Sequence, residues 1–362
     1  MNVSVIGAGM LGAAAAYHLA RAGHRVVVLE AAAPASGASS NSFAWVNAVH
    51  KEPAPYHRLN AAGVAEYPLL AKEFGDDSGY RGGGSLEWVA AENREELRDR
   101  VARLDGRGYR STFISRERAK ALDPGLAIPD DAEVAWFEPD GWVDAPRLIA
   151  TFLSRAKGLG ADVRTETTAR TLRRGAGVAP IVETNHGDVE AETVLLCAGV
   201  GTAALASTIG VRVPVNRVPG VLAVTSPVSP SLGHVIHAPG IHLRPDPSGG
   251  LLLGATDLDA LIREPMSPEE RATLAAPLLD RARVVFPTLA GAKIVTVKIG
   301  GRPMPEDRFT IAGRMPGVPH AWVLATHSAV TMGPMLGRVI AAEIGGADPS
   351  DLLAPFRPSR FP

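Results

Sequence analysis

NVSVIGAGMLGAAAAYHLARAGHRVVVLE, residues 2–30, sets two short β-branched runs on either side of an alanine-rich segment. NVSVI (2–6) and RVVVLE (25–30) have the length and composition of buried parallel strands. MLGAAAAYHLARA between them predicts a helix closed by Gly23. Where the first strand meets the helix, Gly7, Gly9 and Gly12 are spaced G-x-G-x-x-G. In such a unit Gly7 makes the tight turn, Gly9 lets the backbone approach a pyrophosphate, and Gly12 lets helix and strand pack closely. The free N–H groups at the helix start then hold the phosphates. Glu30 ends the second strand, where it can accept hydrogen bonds from an adenosine ribose. Its charge would repel a 2'-phosphate, which argues against NADP. Gly7, Gly9, Met10, Leu11, Gly12, Glu30 and Ala31 are therefore the expected dinucleotide contacts.

The following segment separates FAD from NAD. ASGASSNSFAWVNA (35–48) comes where an NAD-dependent dehydrogenase would continue with another helix and strand. A loop carrying Ser39, Ser40, Asn41 and Ser42 suits hydrogen bonds to a second set of phosphate and ribityl oxygens, with Trp45 near a flat ring. AETVLLCAGVGT (191–202) reads as a short apolar strand breaking at Ala198–Gly199, and Cys197 within it as a buried structural thiol.

Composition narrows the rest. A chain of 362 residues is long enough for two domains, or for one large α/β domain with an inserted lobe. A net charge of -1 gives no reason to expect nucleic acid or an anionic membrane as partner. One cysteine excludes an intramolecular disulfide and a multi-cysteine metal site, so no metal is expected and a reducing, cytoplasmic compartment fits. The apolar run near the start lacks a basic flank and holds three structured glycines, so it is read neither as a signal peptide nor as a membrane span.

Two helices are expected in a second lobe. NREELRDRVARL turns Leu97, Val101 and Leu104 to one face. SPEERATLAAPLLDRARVVF opens with a capping box, Ser267 to Glu270, has Pro268 at its first position, and carries the stripe Leu274, Leu278, Val285. GVLAVTSP, IHLRP, GGLLLGAT and AKIVTVKIGG read as strands of a mixed or antiparallel sheet. DAPRLIATFLSRAKGLG followed by ADVRTET reads as a crossover helix and strand returning to the first domain.

Taken in order, GAGMLGAAAAYHLARAGHRVVVLE, SGASSNSFAWVN, DGWVDAPRL, AETVLLCAG, GGLLLGAT, GGRPMPEDRFTIAG and ATHSAVTMGPMLGRVIAAEI resemble the D-amino-acid oxidase, glycine oxidase and sarcosine oxidase group of FAD-dependent oxidoreductases. The resemblance covers nearly the whole chain. It implies an α/β fold: a Rossmann-like FAD-binding domain with an inserted α+β substrate domain on a mixed or antiparallel sheet. Residues 1–79, 143–215 and 300–362 would form the first, and 80–142 and 216–299 the second. Ala169 would touch adenine through its backbone, and Ala198 and Gly199 would pass the dinucleotide. Ser328, Ala329, Val330, Thr331 and Met332 would lie at the flavin.

The implied reaction oxidises the C–N bond of an amino acid or N-substituted amino acid. Hydride passes to the flavin, and the imine hydrolyses to an oxo acid or aldehyde plus amine. Arg302, held between glycines and proline in KIGGRPMPED, would clamp the substrate carboxylate. Read without the resemblance, it is a structural arginine paired with Glu306 or Asp307. His327 would neighbour the flavin. His242, where relatives often carry tyrosine, could accept a proton from a substrate ammonium, being near its pKa at neutral pH. The group's late attachment cysteine is missing, which implies non-covalent FAD. Leu252 stands where sarcosine oxidases carry an oxygen-activating lysine, so the acceptor is oxygen or another oxidant. The alternative reading is a flavin-bearing subunit of a hetero-oligomeric dehydrogenase. Oligomeric state is left open.

Overall fold

The structure, a computed structural model, describes residues 1–174 and 180–361. Asn2–Ile6 lies inside a six-stranded sheet, paired in parallel with Arg25–Leu29 on one side and Thr193–Leu196 on the other. Asp162–Arg164 extends the sheet beyond Arg25–Leu29, and Ala321–Ala325 extends it beyond Thr193–Leu196, both in parallel. Ile311–Arg314 closes that edge antiparallel. The continuous apolar runs follow from burial on both faces. Helix Met10–Arg21 packs between Ala145–Gly158 and Ala329–Ile344. Small residues allow the close approach: a Cβ on Gly337 would meet Ala14 at 2.7 Å. Cys197 is buried one residue past the end of its strand rather than within it, and its N–H still donates to Ile6 at 2.8 Å.

A second sheet has eight strands, in the order Ile294–Pro305, Val215–Thr225, Leu251–Gly254, Ile241–Pro245, Val235–Ala238, Ser85–Glu87, Val134–Phe137 and Ser111–Ile114. All its pairs are antiparallel except Val235–Ala238 with Ser85–Glu87. Helix Pro268–Val285 covers it through Leu274, Leu278 and Val285, and starts with the expected reciprocal Ser267–Glu270 box. Helix Arg94–Gly106 buries Leu97, Val101 and Leu104 as its spacing predicts, but against the core of the first sheet's helices.

The two longest strands, Val215–Thr225 and Ile294–Pro305, pair along their whole length and run through residues 215/216 and 299/300. Their glycine-rich middles, Gly220 opposite Gly300 and Pro219 opposite Gly301, form a low stretch with few side chains on the sheet. Side chains collect above it. Among the described residues, no helix is long and apolar enough to cross a membrane.

Candidate active site

Two adjoining cavities run from the glycine turn to this low stretch. The first, about 620 Å³, is lined by Gly7, Gly9, Met10, Leu11, Glu30, Ala31, Ala169, Ala198 and Gly199. Gly7 takes a φ of 102°, and a Cβ there would meet the Cys197 carbonyl oxygen at 2.5 Å. A Cβ on Gly12 would lie 1.9 Å from the Gly7 oxygen, so Gly12 packs behind the turn and does not line the cavity. Gly9 has open space apart from Ser39 Oγ at 3.4 Å. The helix that begins at Met10 has glycine at its N-cap and so no cap from that position, and the Met10 N–H donates to Ser39 Oγ at 3.3 Å. Glu30 accepts from the Ala8 N–H at 2.7 Å and the Ala32 N–H at 3.0 Å, which fixes its carboxylate at the cavity wall.

The second cavity, about 380 Å³, is lined by Asn41, Ser42, Trp45, His242, Arg302, His327, Ser328, Val330 and Thr331, while Ser39 and Ala329 border both spaces. Ser40 and Met332 line neither. The Ser40 hydroxyl turns back to the Gly37 carbonyl at 3.4 Å, and Met332 is fully buried beneath the helix start.

Arg302 reaches into this space from the strand Ile294–Pro305. Its Nη2 donates to the Asp259 carboxylate and to the Pro219 carbonyl at 3.3 Å. Asp259 is itself held by the Val221 N–H at 2.9 Å. This partner is neither Glu306 nor Asp307, the acids named in the alternative, structural reading of Arg302. Those acids lie past the strand's end, Glu306 about 13 Å along at the usual rise, and they bind Arg212 and Arg360. Gly220 makes room, because a Cβ there would sit 1.9 Å from Arg302 Nη2.

The walls are flat rings. His242 stacks on His237 with centroids 5.2 Å apart and meets Phe43 edge-on at 4.5 Å, and Trp45 lies 4.3 Å from His237. Burial, then the charge of Arg302, pushes His242 down to about 4. His242 is therefore neutral and weakly basic at pH 7, contrary to the expectation from sequence. His327 is also pushed down to about 4, by loss of water and then by Lys51 and Arg302. His327 lines the cavity and is partly open to solvent, which weakens this shift relative to that of His242. His237 is held well below its ordinary value, mainly by burial, and its Nε2 has no hydrogen-bond partner. Behind Trp45, Asp140 accepts from the indole N–H at 3.0 Å, from Ser85 at 2.6 Å and from Tyr109.

The family model described as FAD dependent oxidoreductase, abbreviated DAO, matches residues 2–343. The chain belongs to this family. It is 26% identical to an opine oxidase subunit from Agrobacterium tumefaciens, over 100% of this chain and 98% of the relative. It is 27% identical to glycine oxidase of Geobacillus kaustophilus, over 99% of this chain and 97% of the relative. The crystal structure of glycine oxidase from Geobacillus kaustophilus superposes with a TM-score of 0.88 at 26% identity, covering 99% of this chain and 98% of that one. The chain is thus an FAD-dependent oxidoreductase with a Rossmann-like FAD-binding fold.

The residues of this flavoprotein fit the cofactor. A helix start behind an open glycine, with Ser39 Oγ beside its first N–H, offers N–H and hydroxyl groups to phosphates, and a fixed carboxylate stands at the end of the second strand. Sequence reasoning passed over Asp259, Gly220, Lys51, His50 and His237, all of which line the second cavity. Asp259 lies in ATDLDA, which reads only as a polar turn, and Lys51 lies in VHKEP, which has no periodicity.

Proposed function

We propose that this flavoprotein oxidises the C–N bond of an amino acid or N-substituted amino acid whose carboxylate is held by Arg302. The observation that carries this reading is a guanidinium projecting into a ring-walled cavity that adjoins the dinucleotide cradle. The names of the glycine oxidase and opine oxidase relatives support it. FAD supplies the hydride acceptor. Among the chain's own groups, Arg302 Nη1 and Nε carry N–H donors beyond those committed to Asp259 and Pro219, and these orient the acid. His242, His237 and Trp45 form a neutral wall against which the substrate's carbon skeleton lies. Gly7, Gly9, Met10 and Leu11 are assigned to the pyrophosphate, Glu30 to the ribose and Ala169 to adenine. Asn41, Ser42 and 327–331 are assigned to the flavin half.

FAD is held non-covalently on this reading, since the one cysteine is buried in the core behind the glycine turn. Acid precipitation should release all the flavin into the supernatant. The chain divides into an FAD-binding domain (1–79, 143–215, 300–362) and a substrate domain (80–142, 216–299), and works in the cytoplasm.

The test is anaerobic flavin bleaching by the isolated chain with a panel of amino acids and their N-methyl and N-carboxymethyl derivatives. Bleaching by an acid but not by its decarboxylated amine is expected. A second reading, a flavin-bearing subunit needing a partner, draws on the relative named as a subunit. Under it the isolated chain would bind FAD and bleach with nothing. Leu252 is fully buried against Leu222, Val224 and Phe43, so its strand sends no charge into the cavity there. Reoxidation in air-saturated buffer is accordingly expected to be slower than in sarcosine oxidases, and fast reoxidation insensitive to added quinone would overturn this.

A further inference from the structure

The second cavity must supply something the hydride step requires and the wall does not provide. An amino acid arrives as an ammonium ion, and no electron pair is available to form the imine until that nitrogen loses a proton. His242 and His327 titrate near 4, and His237 lies well below its ordinary value. His50 Nδ1 accepts from Arg100 at 2.6 Å, which leaves the ring proton on Nε2, facing Glu87 at 3.5 Å, and no free lone pair. The Asp259 carboxylate is occupied by Arg302 and the Val221 N–H.

Lys51 remains. It lines the same cavity, on the segment between Trp45–Val46 and helix Ala54–Phe74. Its Nζ lies 3.1 Å from Ser328 Oγ and forms no ion pair among the described residues. The other neighbour of that hydroxyl is Tyr56 at 3.2 Å. The adjacent acid, Glu52, is turned outward to Arg103 and Arg107. His327, Arg302 and Asp259 are the remaining charged or titratable groups facing it across the cavity, with the histidines already named. Loss of water without a compensating carboxylate brings its amine down to about 8.

We propose that Lys51 is the proton acceptor that converts the bound substrate ammonium to the free amine, a role the sequence suggests for His242. One N–H of the neutral lysine donates to Ser328, which leaves the Nζ lone pair free to face the cavity. The substrate N–H bond breaks, its proton bonds to Nζ, and the electron pair stays on the substrate nitrogen. Departure of hydride from Cα then lets that pair form the imine, and water completes hydrolysis. The lysine proton returns to solvent when product leaves. This rests on the amino-acid reading above.

The test uses the FAD-loaded protein and 2-aminoisobutyrate, which has no hydrogen on Cα and so binds without reacting. Affinity is read from the flavin spectrum, and proton release from calorimetry in buffers of different ionisation enthalpy. In the wild type, one proton should be released per ligand below about pH 8 and none above it. Affinity should rise about tenfold per pH unit and then level there. Lys51→Met and Lys51→Arg should release one proton at every pH from about 6.5 to 9, with affinity rising throughout. The arginine variant keeps the charge and a donor to Ser328, so it reports on the lost base even if the methionine variant loads FAD poorly. Release of no proton at any pH in the wild type, identical profiles in wild type and variants, or a break that moves in His242→Gln instead would each overturn the proposal. Absence of ligand binding at every pH would overturn the amino-acid reading itself.

Discussion

Arg302 is tied to a carboxylate before any substrate arrives, and that changes what its substitution tests. Asp259, pinned by the Val221 N–H, occupies Nη2 and orients the guanidinium above Gly220. Arg302→Met should cost about 3 kcal/mol or more in kcat/KM, the order of a lost charge-assisted pair in a site shielded from water. It also leaves Asp259 without its cation. Arg302→Lys should restore the pairing with Asp259 and most of the stability, but only part of the rate, because a point charge cannot reproduce a planar two-pronged contact. Anaerobic flavin reduction by an acid and by its decarboxylated analogue separates the two roles. The analogue should lose much less than the acid on mutation. Equal losses would mean that Arg302 serves only to hold Asp259 and the turn Thr256–Leu261 in place.

The strand–turn–helix unit was legible because its constraints are local. Gly7, Gly9 and Gly12 are three residues of one type with three different surroundings, and their spacing announces all three. Gly12→Ala should lower the stability of the apoprotein by about 3 kcal/mol, the upper part of the overpacking range, since the new methyl meets backbone that cannot move aside. Gly9→Ala should leave the melting temperature of the apoprotein nearly unchanged, because its extended backbone (φ -79°, ψ -170°) accepts alanine and only Ser39 Oγ lies within reach. Its FAD affinity should nonetheless fall at least about tenfold, as the methyl occupies the space where the backbone approaches phosphate. Melting curves with and without FAD check both. A fall in apoprotein stability for Gly9→Ala would mean the open space is not reserved for the cofactor. The capping box was legible for the same reason, since Ser267 and Glu270 lie within one helical turn. The pairings that furnish the second cavity were not. Arg302 meets Asp259 across 43 residues and Lys51 meets Ser328 across 277, and no local period encodes such contacts. Burial was hidden too: His242 looked titratable at neutral pH because sequence does not say that His237 and Phe43 enclose it.

Across the whole molecule, buried ionisable groups pull stability in opposite directions with pH. His18, on helix Met10–Arg21, lies against Tyr17 and Phe152 with its Nε2 buried and unpartnered. Burial, only partly offset by Glu66, pushes it down to about 4. The unfolded chain takes up a proton here as pH falls below the ordinary value of 6.5, and the folded chain does not until about 4. Stability should therefore fall through that window and change no further below it. His242 contributes with the same sign. Asp140 acts oppositely. Burial raises it from 3.8 to about 7 despite its three donors, so the folded chain holds a proton that the unfolded one has lost, and its contribution declines as pH rises between those values. The acid limb can be isolated because His18 lines neither cavity. His18→Leu should raise the apoprotein melting temperature at pH 5 by several degrees more than at pH 8, flattening the profile between pH 6.5 and 4. Asp140→Asn should instead steepen the net loss toward acid, by removing the one group named here that gains as pH falls. The signs differ, so the pair of profiles identifies which group sets the acid limb. A His18→Leu profile parallel to the wild type would show that the folded protein accepts the His18 proton as readily as the unfolded chain does, and that His18 does not set the acid limb.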